Sequence, residues 1–138
     1  MTPAKAPGAG IPLVIDTSAW MRHRRPGALP HWEAAATNDL LVSCPVAALE
    51  IFRTARNEDE FETLGRTLAG LPQAPVTVSV CRAAVAAARD LKGSRRLPAP
   101  DYLIAAAAAE QGYGVLHADG HFDLLATVLP FESVRLPG

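Results

Sequence analysis

Leu13-Val14-Ile15-Asp16-Thr17-Ser18 is the stretch that decides the architecture. Three consecutive apolar residues ending in an acid have the length and pattern of a strand buried on both faces. Such strands belong to parallel sheets covered by helices, and the acid then stands at the strand's carboxyl end. Leu40-Leu41-Val42, Val76-Thr77-Val78 and Gly114-Val115-Leu116 read as further strands of this kind, and Phe131 to Leu136 as an edge strand. Helical spacings lie between them. Trp32, Ala35 and Ala36 mark one helix over His31 to Thr37. Pro45 opens the next at its first turn, with Ala48, Ile51, Phe52 and Ala55 as its core face. Glu58-Asp59-Glu60 starts a third, which continues through Phe61, Leu64 and Leu68 and ends at Gly70 and Pro72. Ser79 is placed to cap a fourth, striped by Val80, Ala84, Ala87 and Leu91. Asp101 to Gln111 forms an alanine-rich helix that Gly112 terminates. Strands alternating with helices specify an α/β fold, a mostly parallel central sheet flanked by helices.

The 138 residues fit one domain, and an apolar fraction of 49% excludes a disordered chain. A net charge of −1 supplies no global field to attract nucleic acid, so any such contact must come from a local patch. Cys44 and Cys81 lie in apolar stretches without metal-ligand spacing and read as buried free thiols of a reducing cytoplasm. No apolar run approaches the ~20 residues of a membrane span. Met1 to Gly10, rich in Ala, Gly and Pro, lacks the apolar core of a signal peptide and reads as a flexible tail. The domain is expected over residues 11–138, in the cytoplasm and off the membrane.

Most acids fall where solvated acids fall, but four are placed otherwise. Asp16 follows one strand directly and Asp119 follows another after two residues, while Asp101 opens the most apolar helix. In open parallel sheets the ligand crevice lies at the carboxyl ends of the strands, so these three are candidates for one crevice. Glu50, off its helix's apolar stripe, is a candidate to lean into it. At about 4 Å, two like charges repel by roughly 4 kcal/mol at an effective dielectric near 20, so a cleft of acids calls for a cation or shifted pKa values. Hard oxygen ligands select Mg²⁺ or Mn²⁺, and such a site points to phosphodiester hydrolysis. Each acid also has a plainer role: Asp16 as an Asx turn or helix cap, Asp101 as a helix-start acid, Glu50 as a solvated residue, Asp119 as a turn residue. Asp123 is read as a cap for a helix after Phe122.

Four segments add a resemblance. Leu13-Val14-Ile15-Asp16-Thr17-Ser18-Ala19-Trp20 is similar to the opening of the PIN-domain toxins of VapBC-type toxin–antitoxin pairs. Pro45-Val46-Ala47-Ala48-Leu49-Glu50-Ile51-Phe52-Arg53 resembles that family's second acid segment. Pro100-Asp101-Tyr102-Leu103-Ile104-Ala105-Ala106 resembles its third, and Val115-Leu116-His117-Ala118-Asp119-Gly120-His121-Phe122-Asp123 its fourth. Each motif alone is weak, and four in order are specific. The resemblance implies a PIN fold and a Mg²⁺- or Mn²⁺-dependent endoribonuclease toxin acting on structured RNA such as tRNA or ribosomal RNA. It implies a cognate VapB-like antitoxin and a homodimer. Carried over by position, Asp16, Glu50, Asp101 and Asp119 form the active site. Asp16 and Asp101 are the principal metal ligands, Asp119 assists directly or through water, and Glu50 orients water. Ser18 is expected to hydrogen-bond Asp16 or a phosphate oxygen. Many relatives carry a further acid where this chain has His121, which leaves the fourth acidic role to Asp119, with Asp123 as a less favoured substitute.

Arg22, His23, Arg24 and Arg25, then Arg53 and Arg56, then Lys92, Arg95 and Arg96 each adjoin an acid motif, as a rim that holds RNA phosphates would. Arg53, one turn from Glu50, is also placed to steady it by charge pairing. The four histidines, His23, His31, His117 and His121, show no metal spacing and read as turn or surface residues. Two other readings stand beside the nuclease. A haloacid-dehalogenase-like phosphotransferase needs a second Asp where this chain has Ser18, and a non-catalytic PIN-like module that binds RNA or protein would use the same fold.

Overall fold

The structure, a computed structural model, describes residues 10–92 and 97–138. All of the expected tail, residues 1–10, except Gly10, and the basic residues Arg95 and Arg96 lie outside the described residues. The elements run β1 (Leu13–Ile15), α1 (Thr17–Arg22), α2 (Leu29–Thr37), β2 (Leu41–Val42), α3 (Pro45–Phe52), α4 (Glu58–Ala69), α5 (Val78–Leu91), α6 (Ala99–Gln111), β3 (Gly114–His117), α7 (His121–Leu125) and β4 (Glu132–Arg135).

The sheet has the order β2-β1-β3-β4 and every pair in it is parallel. Strand alternation divides its side chains between two apolar layers. Val14, Val42 and Val115, in register across three strands, face the layer built from α3, α5, α6 and α7. Leu13, Ile15, Leu41 and Leu116 face the other way, onto Ala19 of α1, Ala28 just before α2 and Ala35 within it. Both faces are therefore dry, which is why β1 and β3 read as unbroken apolar runs. Gly114 admits no side chain, because a Cβ there would stand 2.9 Å from both the Glu132 carbonyl oxygen and Leu13 Cδ2.

The chain leaves β1 for β2 on one side, then crosses to β3 on the other. The carboxyl ends of β1 and β3 are thus neighbours at the point where the strand order reverses, the place where open parallel sheets bind ligands. Helix α6, whose Ile104, Ala105, Ala106, Ala107 and Ala108 are all buried, runs beneath them. Its alanines let the helix approach the sheet and α5 closely, and Gly112 ends it in the left-handed conformation (φ 73°).

Several expectations need correction. Val76-Thr77-Val78 is not a strand: Thr77 Oγ1 accepts a hydrogen bond from the Val80 amide and caps α5, so Val78 and Ser79 are already helical. The β-branched residues are overruled by this cap, and the extension of β2 is instead bridged at Ser43 by Gln73. Cys44 is a buried free thiol as expected, but Cys81 is exposed, because it lies outside the Val80–Ala84–Ala87–Leu91 stripe that α5 buries. Asp123 caps nothing. It sits inside α7, where Ser133 Oγ donates to it at 2.6 Å and Arg135 lies at 3.3 Å.

Candidate active site

The site begins with Asp16, held at the end of β1 where its amide donates to the Leu116 carbonyl. Asp16 also caps α1, so its plainer role and its candidate role coincide. Its Oδ2 accepts from the Ser18 amide at 3.0 Å and from the Ser18 hydroxyl, as expected for Ser18. Ser18 Oγ in turn accepts from the Ala118 amide at 2.9 Å, while Arg22 donates to the Ala118 carbonyl. Both main-chain polar groups of Ala118, just after β3, are therefore gripped by α1, and this grip carries Asp119 toward Asp16.

Asp101, buried on the first turn of α6, completes a group with Asp119 and His121. His121 Nδ1 stands 2.7 Å from Asp101 Oδ2 and 3.7 Å from Asp119 Oδ1. The His121 amide also donates to Asp119 Oδ1 at 2.9 Å, so Asp119 is a turn residue as well as a site acid. One ligand atom from each of Asp101, Asp119 and His121 lies within 4.8 Å of the other two, a spacing that fits a shared cation. Burial is the main force raising the Asp101 pKa, to about 6. The His121 hydrogen bond opposes that rise, and the charges of Asp16 and Asp119 add to it. Asp16 is raised too, chiefly by burial, against the Ser18 hydrogen bonds. Carboxylates held away from water and near one another bind protons more tightly than free ones do, and a positive charge among them relieves the repulsion.

Glu50 is not among the residues whose ligand atoms converge there. Thr17 Oγ1 donates to its Oε1 at 3.3 Å, which joins α3 to the residue beside Asp16. Arg53 is exposed, and among the described residues no ion pair joins it to Glu50, so the expected charge pairing is absent. Arg56 instead pairs with Glu60 at 2.8 Å on the surface.

Two histidines are not the turn or surface residues expected. His121 faces the acids. His117 is fully buried, and burial lowers its pKa, which keeps the ring neutral. Its Nδ1 accepts from the Asp119 amide at 3.3 Å, so Nε2 carries the hydrogen and donates to Ser133 Oγ at 2.7 Å. Ser133 passes the chain on to Asp123. The main chain at Asp119 is thereby tied to the edge strand β4. The signal for His121 is present in the sequence, at the position where relatives carry a further acid. The signal for His117 is its place as the last residue of a buried strand.

The four acids lie outside three clefts of the described residues, one between α1 and α4, one beside β2 and one on α5. One cleft of about 430 Å³ lies between α1 and α4, lined by Trp20, Met21, His23, Arg24, Asp59 and Leu64 among others. The acid group is instead an open surface site, with the Asp119 and His121 side chains about one third exposed. Such a site suits a large substrate better than an enclosed small one.

Comparison with known proteins gives a consistent picture. The profile of the PIN domain matches residues 13–128. Ribonuclease VapC51 of Mycobacterium tuberculosis is 36% identical over 120 residues, 86% of this chain and 88% of its own. Ribonuclease VapC18 of the same organism is 32% identical over 119 residues, 83% of this chain and 87% of its own. Among solved structures, VapBC2 from Rickettsia felis bound to a promoter DNA fragment superposes with a TM-score of 0.72 at 8% identity, covering 91% of this chain and 98% of that one. VapBC-5 from Mycobacterium tuberculosis superposes with a TM-score of 0.64 at 24% identity, covering 89% and 97%. These superpositions share the fold described above.

Proposed function

The chain belongs to the PIN-domain family and, through its relatives, to the VapC ribonucleases; on that premise we propose a metal-dependent endoribonuclease toxin that hydrolyses phosphodiester bonds of structured RNA, tRNA or ribosomal RNA. The cofactor is Mg²⁺ or Mn²⁺, the domain spans residues 11–138, and the place of action is the cytoplasm. No helix among the described residues is long and apolar enough to cross a membrane. The partners are a VapB-like antitoxin, named with the toxin in the related complexes, and a second copy of the chain.

The observation that carries this reading is the meeting of Asp101 and Asp119 around one imidazole, with Asp16 close enough to raise the Asp101 pKa, at the strand ends where the sheet order reverses. Asp16, Asp101 and Asp119 would hold a divalent ion, which would supply a more acidic water and offset charge on the phosphate. The protein's own groups perform the rest. Ser18 fixes the Asp16 carboxylate through two hydrogen bonds. Glu50, held by Thr17, orients the attacking water. The exposed Arg22, which donates to the Ala118 carbonyl, and the exposed Arg24 and Arg25 supply phosphate contacts that the acidic centre does not. Arg53 adds charge at the end of α3.

Cleavage of total cellular RNA by antitoxin-free protein tests the reading. Discrete fragments are expected with Mg²⁺ or Mn²⁺, and none with chelator or with Asp16→Asn, which is expected to fold. No cleavage by the folded wild type in either metal would instead favour a binding module.

A further inference from the structure

The group around Asp101 differs from an all-oxygen site in one respect: an imidazole nitrogen stands at its centre. His121 is the first residue of α7, and its backbone amide is bonded to the Asp119 carboxylate at 2.9 Å. That bond fixes where the side chain starts. The ring then turns inward, with Nδ1 at 2.7 Å from Asp101 Oδ2 and 3.7 Å from Asp119 Oδ1. Metal bonds of about 2.1 Å set atoms that are cis about a six-coordinate ion about 3 Å apart. The two observed separations bracket that distance. Nδ1 and Asp101 Oδ2 share one hydrogen bond. A cation that enters the group would take the place of that hydrogen bond between atoms already converged.

The identity of the donor atoms bears on which ion is held. Mg²⁺ is served by oxygen and gives up its bound water reluctantly. First-row transition ions accept imidazole nitrogen readily, with affinities that rise from Mn²⁺ onward. Resting on the nuclease reading above, we propose that His121 Nδ1 is a direct metal ligand of this chain, which gives the centre a preference for transition ions such as Mn²⁺ over Mg²⁺. The position that carries an acid in many relatives thus carries a different ligand here and keeps its place in the coordination set. The other histidines do not compete for the role. Both ring nitrogens of His117 are engaged in hydrogen bonds, and His23 packs between Trp20 and Trp32.

The test uses the full chain, free of antitoxin, with Mn²⁺ as the probe. Pulsed electron paramagnetic resonance of bound Mn²⁺ is compared between protein with ordinary and with ¹⁵N-labelled histidine. A nitrogen coupling that changes with the label is expected in the wild type and is expected to vanish in His121→Ala. Titration of free Mn²⁺ should show a Kd about 10-fold or more weaker in that variant, on the order of other losses of metal-site support. Mg²⁺ affinity, measured by competition, should change far less. His121→Asp, which offers oxygen at the same position, should bind without the nitrogen signal and shift the preference toward Mg²⁺. Circular dichroism confirms that each variant folds. Bound Mn²⁺ with oxygen coupling only, or unchanged Mn²⁺ affinity in His121→Ala, overturns this inference and leaves the nuclease reading intact. Failure of the folded wild type to bind either ion, together with absence of cleavage, overturns the nuclease reading and this inference with it.

Discussion

A single carboxyl group sets the tension of the site. Burial raises the Asp101 pKa from 3.8 to about 6, so the folded chain holds that proton more tightly than the unfolded chain does. Its contribution therefore favours folding fully below pH 3.8 and is lost as pH rises through about 6. At about 1.4 kcal/mol per pKa unit, the ionised group costs the metal-free fold roughly 3 kcal/mol at most near neutrality. Asp101→Asn removes that charge. With chelator at pH 7.5, the variant is expected to melt several degrees above the wild type, with the gap closing near pH 4.5; thermal melts at the two pH values check it. The same titration should weaken metal-dependent cleavage as pH falls below about 6, since protons then compete with the cation. Asp16, Asp101 and Asp119 were legible in the sequence because each stands beside an element boundary that the apolar pattern marks. His121 was marked only by standing where relatives carry a further acid, because its spacing alone gives no hint that α7 turns its ring back toward α6. Asp123 misled for a related reason: its partners, Ser133 and Arg135, lie on a strand whose pairing no local pattern reveals.

Among the elements, α6 bears the most. It carries Asp101 on its first turn and packs against the sheet and α5 through alanines with almost no exposed surface. Ala107 is fully buried, so Ala107→Leu forces added volume into a filled space and should cost about 1–3 kcal/mol. Chemical denaturation would show it as a lower midpoint with an unchanged slope, and an undiminished midpoint would mean that the α6 layer yields more than its packing suggests. Helices with strong stripes, such as α5 with Val80, Ala84, Ala87 and Leu91, were readable from periodicity. The Val76–Val78 segment was not, because propensity and capping disagreed there and the Thr77 hydroxyl decided the outcome. Strand β2, two residues long, sits close to the lower limit of what pattern alone can mark.

For the whole molecule, a net charge of −1 means that RNA affinity depends on local arginines. Cleavage by antitoxin-free protein should thus fall as salt rises, and Arg22→Ala should reduce both the rate and that salt dependence, measured with a single RNA substrate at several ionic strengths. A salt-independent rate would remove Arg22 from the phosphate contacts. The α/β class and the sheet's parallel character were legible from the alternation of runs. The strand order was not, because it depends on a crossover spanning α3 to α6. That crossover has a consequence for biosynthesis. Asp16 is translated well before Leu116, to which its amide is bonded, and Ser18 is made 100 residues before Ala118, which it grips. A nascent polypeptide still threaded through the ribosome has no Asp119 to offer and no β3 to hold the first acid in place. The acid group can therefore assemble only after the segment 100 residues beyond Ser18 has been made and has paired beside β1.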